Sequence, residues 1–71
     1  MPTLVWEQDG AIYHATARSV AGIILYHLVV EQMGAEWTWN VWRPGESFRL
    51  SRYGVATTIQ EAMRAAEDAA Q

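Results

Sequence analysis

EWTWNVW, residues 36–42, holds three of the chain's four tryptophans, and its reading decides the fold. In a strand, side chains alternate with period two, so Trp37, Trp39 and Val41 share one face while Glu36, Thr38, Asn40 and Trp42 share the other. The first face is uniformly apolar and has to be covered. The second is polar apart from Trp42, which folding does not require there and which therefore asks for a functional reason.

The same alternation extends toward the N-terminus. Ile24, Tyr26, Leu28 and Val30 alternate with Leu25, His27, Val29 and Glu31, and Gly34 marks the turn into residues 36–42. Asp9-Gly10 favours the positive φ angles of a two-residue hairpin loop. That loop predicts Trp6 opposite Tyr13 and Leu4 opposite Ala15 on one side, with Glu7 opposite Ile12 and Val5 opposite His14 on the other. A loop over Ser19–Gly22 predicts Ala17 opposite Ile24, Ala15 opposite Tyr26 and Tyr13 opposite Leu28, which sets His14 directly against His27.

Toward the C-terminus, Pro44-Gly45 opens a turn into a fifth strand in which Phe48 and Leu50 point inward, with Trp39 expected between Val30 and Leu50, and beyond Gly54 the period changes. Thr58-x-x-Glu61 has the form of a capping box, in which hydroxyl and carboxylate satisfy amides left unpaired at a helix start. Ile59, Met63, Ala66 and Ala70, joined by Ala62 and Ala69, follow at helical spacing, while Glu61, Arg64, Glu67 and Asp68 take the solvent side. The expectation is an α+β fold. An antiparallel meander of four to five strands, at about 3–8, 11–18, 23–32, 36–43 and 47–53, precedes one helix at about 58–70 packed on one face, all in a single domain over 1–71. A helix of about fourteen residues is roughly 21 Å long and 10 Å wide, whereas five strands span roughly 20 Å, so the helix covers about three strands. Sheet curling or a second copy of the chain, a homodimer, has to close the rest.

Composition excludes several functions. The chain has 71 residues, a net charge of −3 and no cysteine, so neither disulfides nor a cysteine-based zinc site can reinforce its small core. Eight acidic side chains against five arginines disfavour double-stranded nucleic acid, which needs a basic face to displace counterions. MPTLVWEQDG lacks the basic start and apolar run of a signal peptide, and GIILYHLVV is too short to span a bilayer. A cytoplasmic protein without a membrane partner is expected. No G-x-S-x-G elbow and no Gly-rich phosphate loop occurs, so no catalytic residue and no cofactor is assigned, and the chain is not expected to be an enzyme.

Two groups remain as candidate sites. His14 and His27, if opposed, could supply two metal ligands, but a zinc site needs three or four, so no metal is expected and the histidines read as exposed, titrating side chains. Arg43, Arg49 and Arg52 lie within ten residues of one another beside Trp42 and Tyr53. An arginine there can stack on an aromatic ring or grip a carboxylate or phosphate bidentately, and Trp, Tyr and Arg are the side chains enriched where binding energy concentrates. Trp42, Arg43, Arg49, Arg52, Tyr53, Asn40, His14 and His27 are accordingly the expected protein interface. The competing structural reading is Arg49 lying over Trp42 as an intramolecular lid.

GVATTIQEAMRAAEDAA, residues 54–70, resembles the closing helix of HicB-like antitoxin domains and of small phage and proteobacterial accessory proteins, through Gly54, Thr58, Glu61, Ala62, Ala66 and Ala69. The resemblance implies cap and packing roles for those residues, and a regulatory domain that neutralises a toxin. The expected function is a non-enzymatic protein-binding module, a phage or mobile-element inhibitor that occludes a host defence complex as anti-CRISPR proteins do. The alternatives are a HicB-like antitoxin and a binder of small ligands or single-stranded nucleic acid.

Overall fold

The computed structural model describes residues 3–46 and 51–70. Five strands, β1 (Thr3–Asp9), β2 (Ile12–Arg18), β3 (Ile24–Met33), β4 (Glu36–Trp42) and β5 (Arg52–Ala56), precede one helix, α1 (Ile59–Ala69). The strands form one antiparallel sheet in the order β1-β2-β3-β4-β5, so each pairs only with its neighbours in sequence. The α+β meander with a C-terminal helix is the architecture expected from the alternation.

Turn chemistry sets the registers, and here the structure corrects the sequence reading. Asp9 pairs with Ile12, so the first loop is Gly10-Ala11 and Trp6 faces Ala15 rather than Tyr13. Gly10 has φ 65° and no residue other than glycine has positive φ among those described. That is the two-residue hairpin loop with glycine in first place, whereas an Asp-Gly loop needs both residues in the left-handed region. The hairpin between β3 and β4 repeats the device with Gly34-Ala35, Met33 pairing with Glu36 and Gly34 at φ 64°.

Between β2 and β3, Ala15 faces Leu28 and Ala17 faces Tyr26, again displaced from the expected pairing. The connection is longer than expected, running from Ser19 to Ile23 and held by Ser19 N–H to Ile23 O at 2.8 Å and Gly22 N–H to Ser19 O at 2.9 Å. A bulge follows at Ala17/Arg18, where Arg18 pairs with Ile24 and Leu25 is the extra residue.

β5 also lies further along the chain than expected, so Trp39 faces Gly54 instead of Leu50. Phe48, Arg49 and Leu50, and with them most of the strand expected at 47–53, fall outside the described residues. A Cβ on Gly54 would come within 2.7–2.8 Å of Cζ2, Cε2 and Nε1 of Trp39. The indole thus lies against bare backbone, which is the physical reason a glycine sits in mid-strand.

The core lies between the sheet and α1. Leu28, Val30 and Val41 are fully enclosed, with Ala15 and Ala17 from β2 and Ala62, Ala66 and Ala70 from the helical segment around them. Burying each of the three larger side chains stabilises by about 1.5–3 kcal/mol. Alanines on the inner face let the helix axis approach the sheet closely.

The helix begins at Thr58, whose Oγ1 accepts from Glu61 N–H at 3.2 Å. The Glu61 carboxylate returns one residue earlier than a capping box requires, accepting from Thr57 Oγ1–H at 2.7 Å and Thr57 N–H at 3.4 Å. The helix ends with no basic residue in its last turn. Arg52 from β5 supplies that charge instead, donating through Nη1 to Ala69 O at 2.9 Å, where the helix dipole favours a cation.

α1 packs against β3, β4 and β5. Over β2 the roof is aromatic. Trp6 and Tyr13 are half-buried against the core, Tyr13 meets Trp37 edge-on at 6.2 Å, and Ala15 and Ala17 beneath are closed off. Trp6 Nε1–H donates to Glu67 Oε2 at 2.8 Å and ties β1 to the helix. Glu67, expected on the solvent side, is half-buried by this contact.

Candidate binding face

With the helix on one side, no described element covers the other side of the sheet. Its occupants follow from the registers. One row across the strands runs Val5, Thr16, His27, Trp42, and the next runs Glu7, His14, Val29, Asn40, Tyr53. Val5 is 64% exposed, Val55 59% and Tyr53 76%, values that a folding core would not leave to solvent. No bulge interrupts the β3–β4 ladder, so Trp42 stays on this outer face as its parity predicts.

Trp42 is half-buried even so, because its ring stacks on His27 at 5.5 Å between centroids and 22° between planes. His27 thereby fixes the indole in one orientation, with Asn40 beside it on the same strand. An aromatic held flat and edged by polar groups is the arrangement in which interfaces concentrate binding energy.

The remaining expected site residues divide. His14 faces Val29 and His27 faces Thr16, so the two histidines are not opposed, because the β2–β3 register is displaced from the one expected. His14 has Glu7 as its partner on β1. No group of three or more His, Cys, Asp or Glu side chains that could hold a metal ion occurs among the described residues. Arg43 follows Trp42 in the chain and turns to the helix side, away from it. Its Nε and Nη2 donate to Tyr26 Oη at 3.3 and 3.1 Å, and its guanidinium lies over the Tyr26 ring at 5.4 Å from the centroid. The hydrogen bond to the Tyr26 hydroxyl and its electrostatic attraction hold the Arg43 pKa above its ordinary value, with a smaller contribution from Glu46. Arg52 donates through Nη1 to the last carbonyl of the helix. Arg49 lies outside the described residues.

The expected cluster of arginines around Trp42 and Tyr53 is therefore two constellations on opposite faces. Alternation contains that division already, since Trp42 and Arg43 are adjacent, as are Arg52 and Tyr53, and adjacent strand residues point apart. Val5, Val29 and Val55 join the outer face and Tyr26 joins the arginines, four residues that sequence reading did not assign to any site. Their neighbours depend on registers that the alternating pattern alone leaves open.

The fold and the bare face define the class as a small α+β protein with one helix-covered and one open sheet face. Comparisons with protein-family models, with curated proteins and with solved structures find no match. No helix among the described residues is long and apolar enough to cross a membrane.

Proposed function

We propose that the chain is a protein-binding module, acting without catalysis, that engages its partner through the open sheet face centred on Trp42. The observation that carries the reading is the His27–Trp42 stack, which sets a large aromatic on a face that no described element covers. A rigid aromatic loses little conformational freedom on association, so the contact it makes is retained as affinity. Small size, net negative charge and a contact surface built on paired strands suit an inhibitor that works by covering part of a larger complex. In its narrowest form the proposal is an accessory protein of a phage or mobile element that occludes a host complex.

The test pairs stability with association. Trp42→Ala is expected to leave the melting temperature within a few degrees of wild type, while affinity for the partner falls about thirtyfold, the equivalent of roughly 2 kcal/mol. Affinity is measured on the purified binary complex once pull-down and mass spectrometry have identified the partner. Sedimentation velocity on the chain alone identifies a second copy as the partner. Unfolding of Trp42→Ala would make the residue a core member, and unchanged affinity would remove the open face as the site.

A further inference from the structure

We propose that the hollow between Arg43 and Arg52 at the end of β4 receives a carboxylate from an acidic side chain of the protein partner, an inference that rests on the protein-binding reading above. The hollow measures about 270 Å³ and is walled by Tyr26, Val41, Trp42, Arg43, Glu46 and Arg52. Arg52 lies directly opposite Val41 in the β4–β5 ladder, and Arg43 stands two residues beyond Val41 on the same face. The two guanidiniums thus start from diagonal positions, whose Cβ atoms are typically about 7–8 Å apart, a separation that long side chains close around one small anion.

Donor chemistry fits. Tyr26 Oη accepts both Arg43 bonds and keeps its own hydrogen to donate. Among the described residues, Nη1 of Arg43 and Nε and Nη2 of Arg52 make no hydrogen bond. Stacking on Tyr26 holds the Arg43 guanidinium in place, so less freedom is lost when a ligand arrives.

The charge balance selects the class of ligand. Among the described residues, two arginines against Glu46 leave one positive charge in the walls, which suits a monoanion. A chain of net charge −3 repels polyanions at longer range. Trp42 gives the methylene stem of an aspartate or glutamate an apolar surface. Because Trp42 belongs both to this wall and to the open face, one segment of a partner rounding the end of the sheet can touch both.

The experiment is an NMR titration of the full isotope-labelled chain with the peptide acetyl-Ala-Glu-Ala-amide, with its glutamine counterpart and with inorganic phosphate. The glutamate peptide is expected to bind in the millimolar range and to shift the Nε–H signals of Arg43 and Arg52 and the indole N–H of Trp42, with the glutamine peptide shifting none of them. Arg43→Gln and Arg52→Gln are each expected to weaken the peptide about two- to fivefold, and Glu46→Gln to tighten it about twofold, as for exposed ion pairs. Arg43→Gln spares the helix terminus, so it decides the matter should Arg52→Gln lower stability. Absence of shifts, equal shifts with both peptides, or tighter binding of phosphate than of the glutamate peptide would overturn the assignment. Once the partner is in hand, retention of full affinity by both arginine variants sinks the carboxylate site alone if Trp42→Ala still loses binding. Retention by Trp42→Ala sinks the open-face reading on which it rests.

Discussion

Gly54 and Trp39 act as one unit. The indole occupies the space where any other residue at position 54 would place its Cβ, with three ring atoms within 2.7–2.8 Å of that point. Trp39 is itself packed against the core, so its ring cannot yield without disturbing the helix contact. Gly54→Ala is expected to destabilise the fold by about 1–3 kcal/mol, the range for overpacking a filled site, measured by denaturant unfolding. Of the three clashing atoms, Cζ2, the nearest, belongs to the outer six-membered ring of the indole, which a phenylalanine ring does not reach. Adding Trp39→Phe to Gly54→Ala should therefore cost less than the sum of the two single changes, and strict additivity would show that the two residues do not share that space.

At the scale of the elements, the start of α1 rests on a single hydroxyl. Removing it with Thr58→Ala is expected to cost about 1 kcal/mol, which for a domain of this size lowers the melting temperature by about 4–8 °C. Circular dichroism on heating checks both figures, and an unchanged melting curve would show that the cap contributes nothing. The elements also show what was legible in the chain. Four strands and the helix can be read from periodicity close to their observed bounds, whereas β5 lies at 52–56 instead of 47–53. Parity assigns the faces of the strands except at the β2–β3 bulge, where Ile24 pairs with Arg18. The neighbours do not follow so well. Trp6 meets Ala15 and not Tyr13, Ala15 meets Leu28 and not Tyr26, and Trp39 meets Gly54 and not Leu50. Each displacement is by an even number of residues. A slip of one would expose the whole apolar face, whereas a slip of two or four leaves burial almost unchanged and is decided only by loop geometry. That difference explains why the candidate site was half legible. Trp42, Asn40 and Tyr53 needed only parity, while the separation of His14 from His27 needed the true register.

For the molecule as a whole, the separated histidines bear on metal binding. Zinc held by the folded chain and not by the unfolded one would raise the apparent stability according to its concentration. Neither zinc nor a chelator is expected to move the melting temperature, and a zinc-dependent rise abolished by His14→Ala would overturn that expectation. The open face gives a second whole-molecule contrast. Truncations there should alter association, whereas truncations over the helix should alter stability, because the core residues Leu28, Val30 and Val41 all lie on the helix side.

The hydrogen bond from Trp6 to Glu67 spans 61 positions of the chain, in a sheet whose every ladder joins consecutive strands. Hairpins of that kind can form early, since closing a short loop costs little entropy, and the clasp between β1 and α1 has to wait until the helix has docked. Its contribution is then absent at the folding barrier and fully present afterwards. Trp6→Phe removes the donor while keeping an aromatic ring, so in stopped-flow measurements it should leave the refolding rate nearly unchanged and speed unfolding about tenfold for a bond worth roughly 1.4 kcal/mol. The clasp thus governs how long the folded chain persists once made, and has little part in how quickly it is made. Equal changes in both rates would place its formation at the barrier instead.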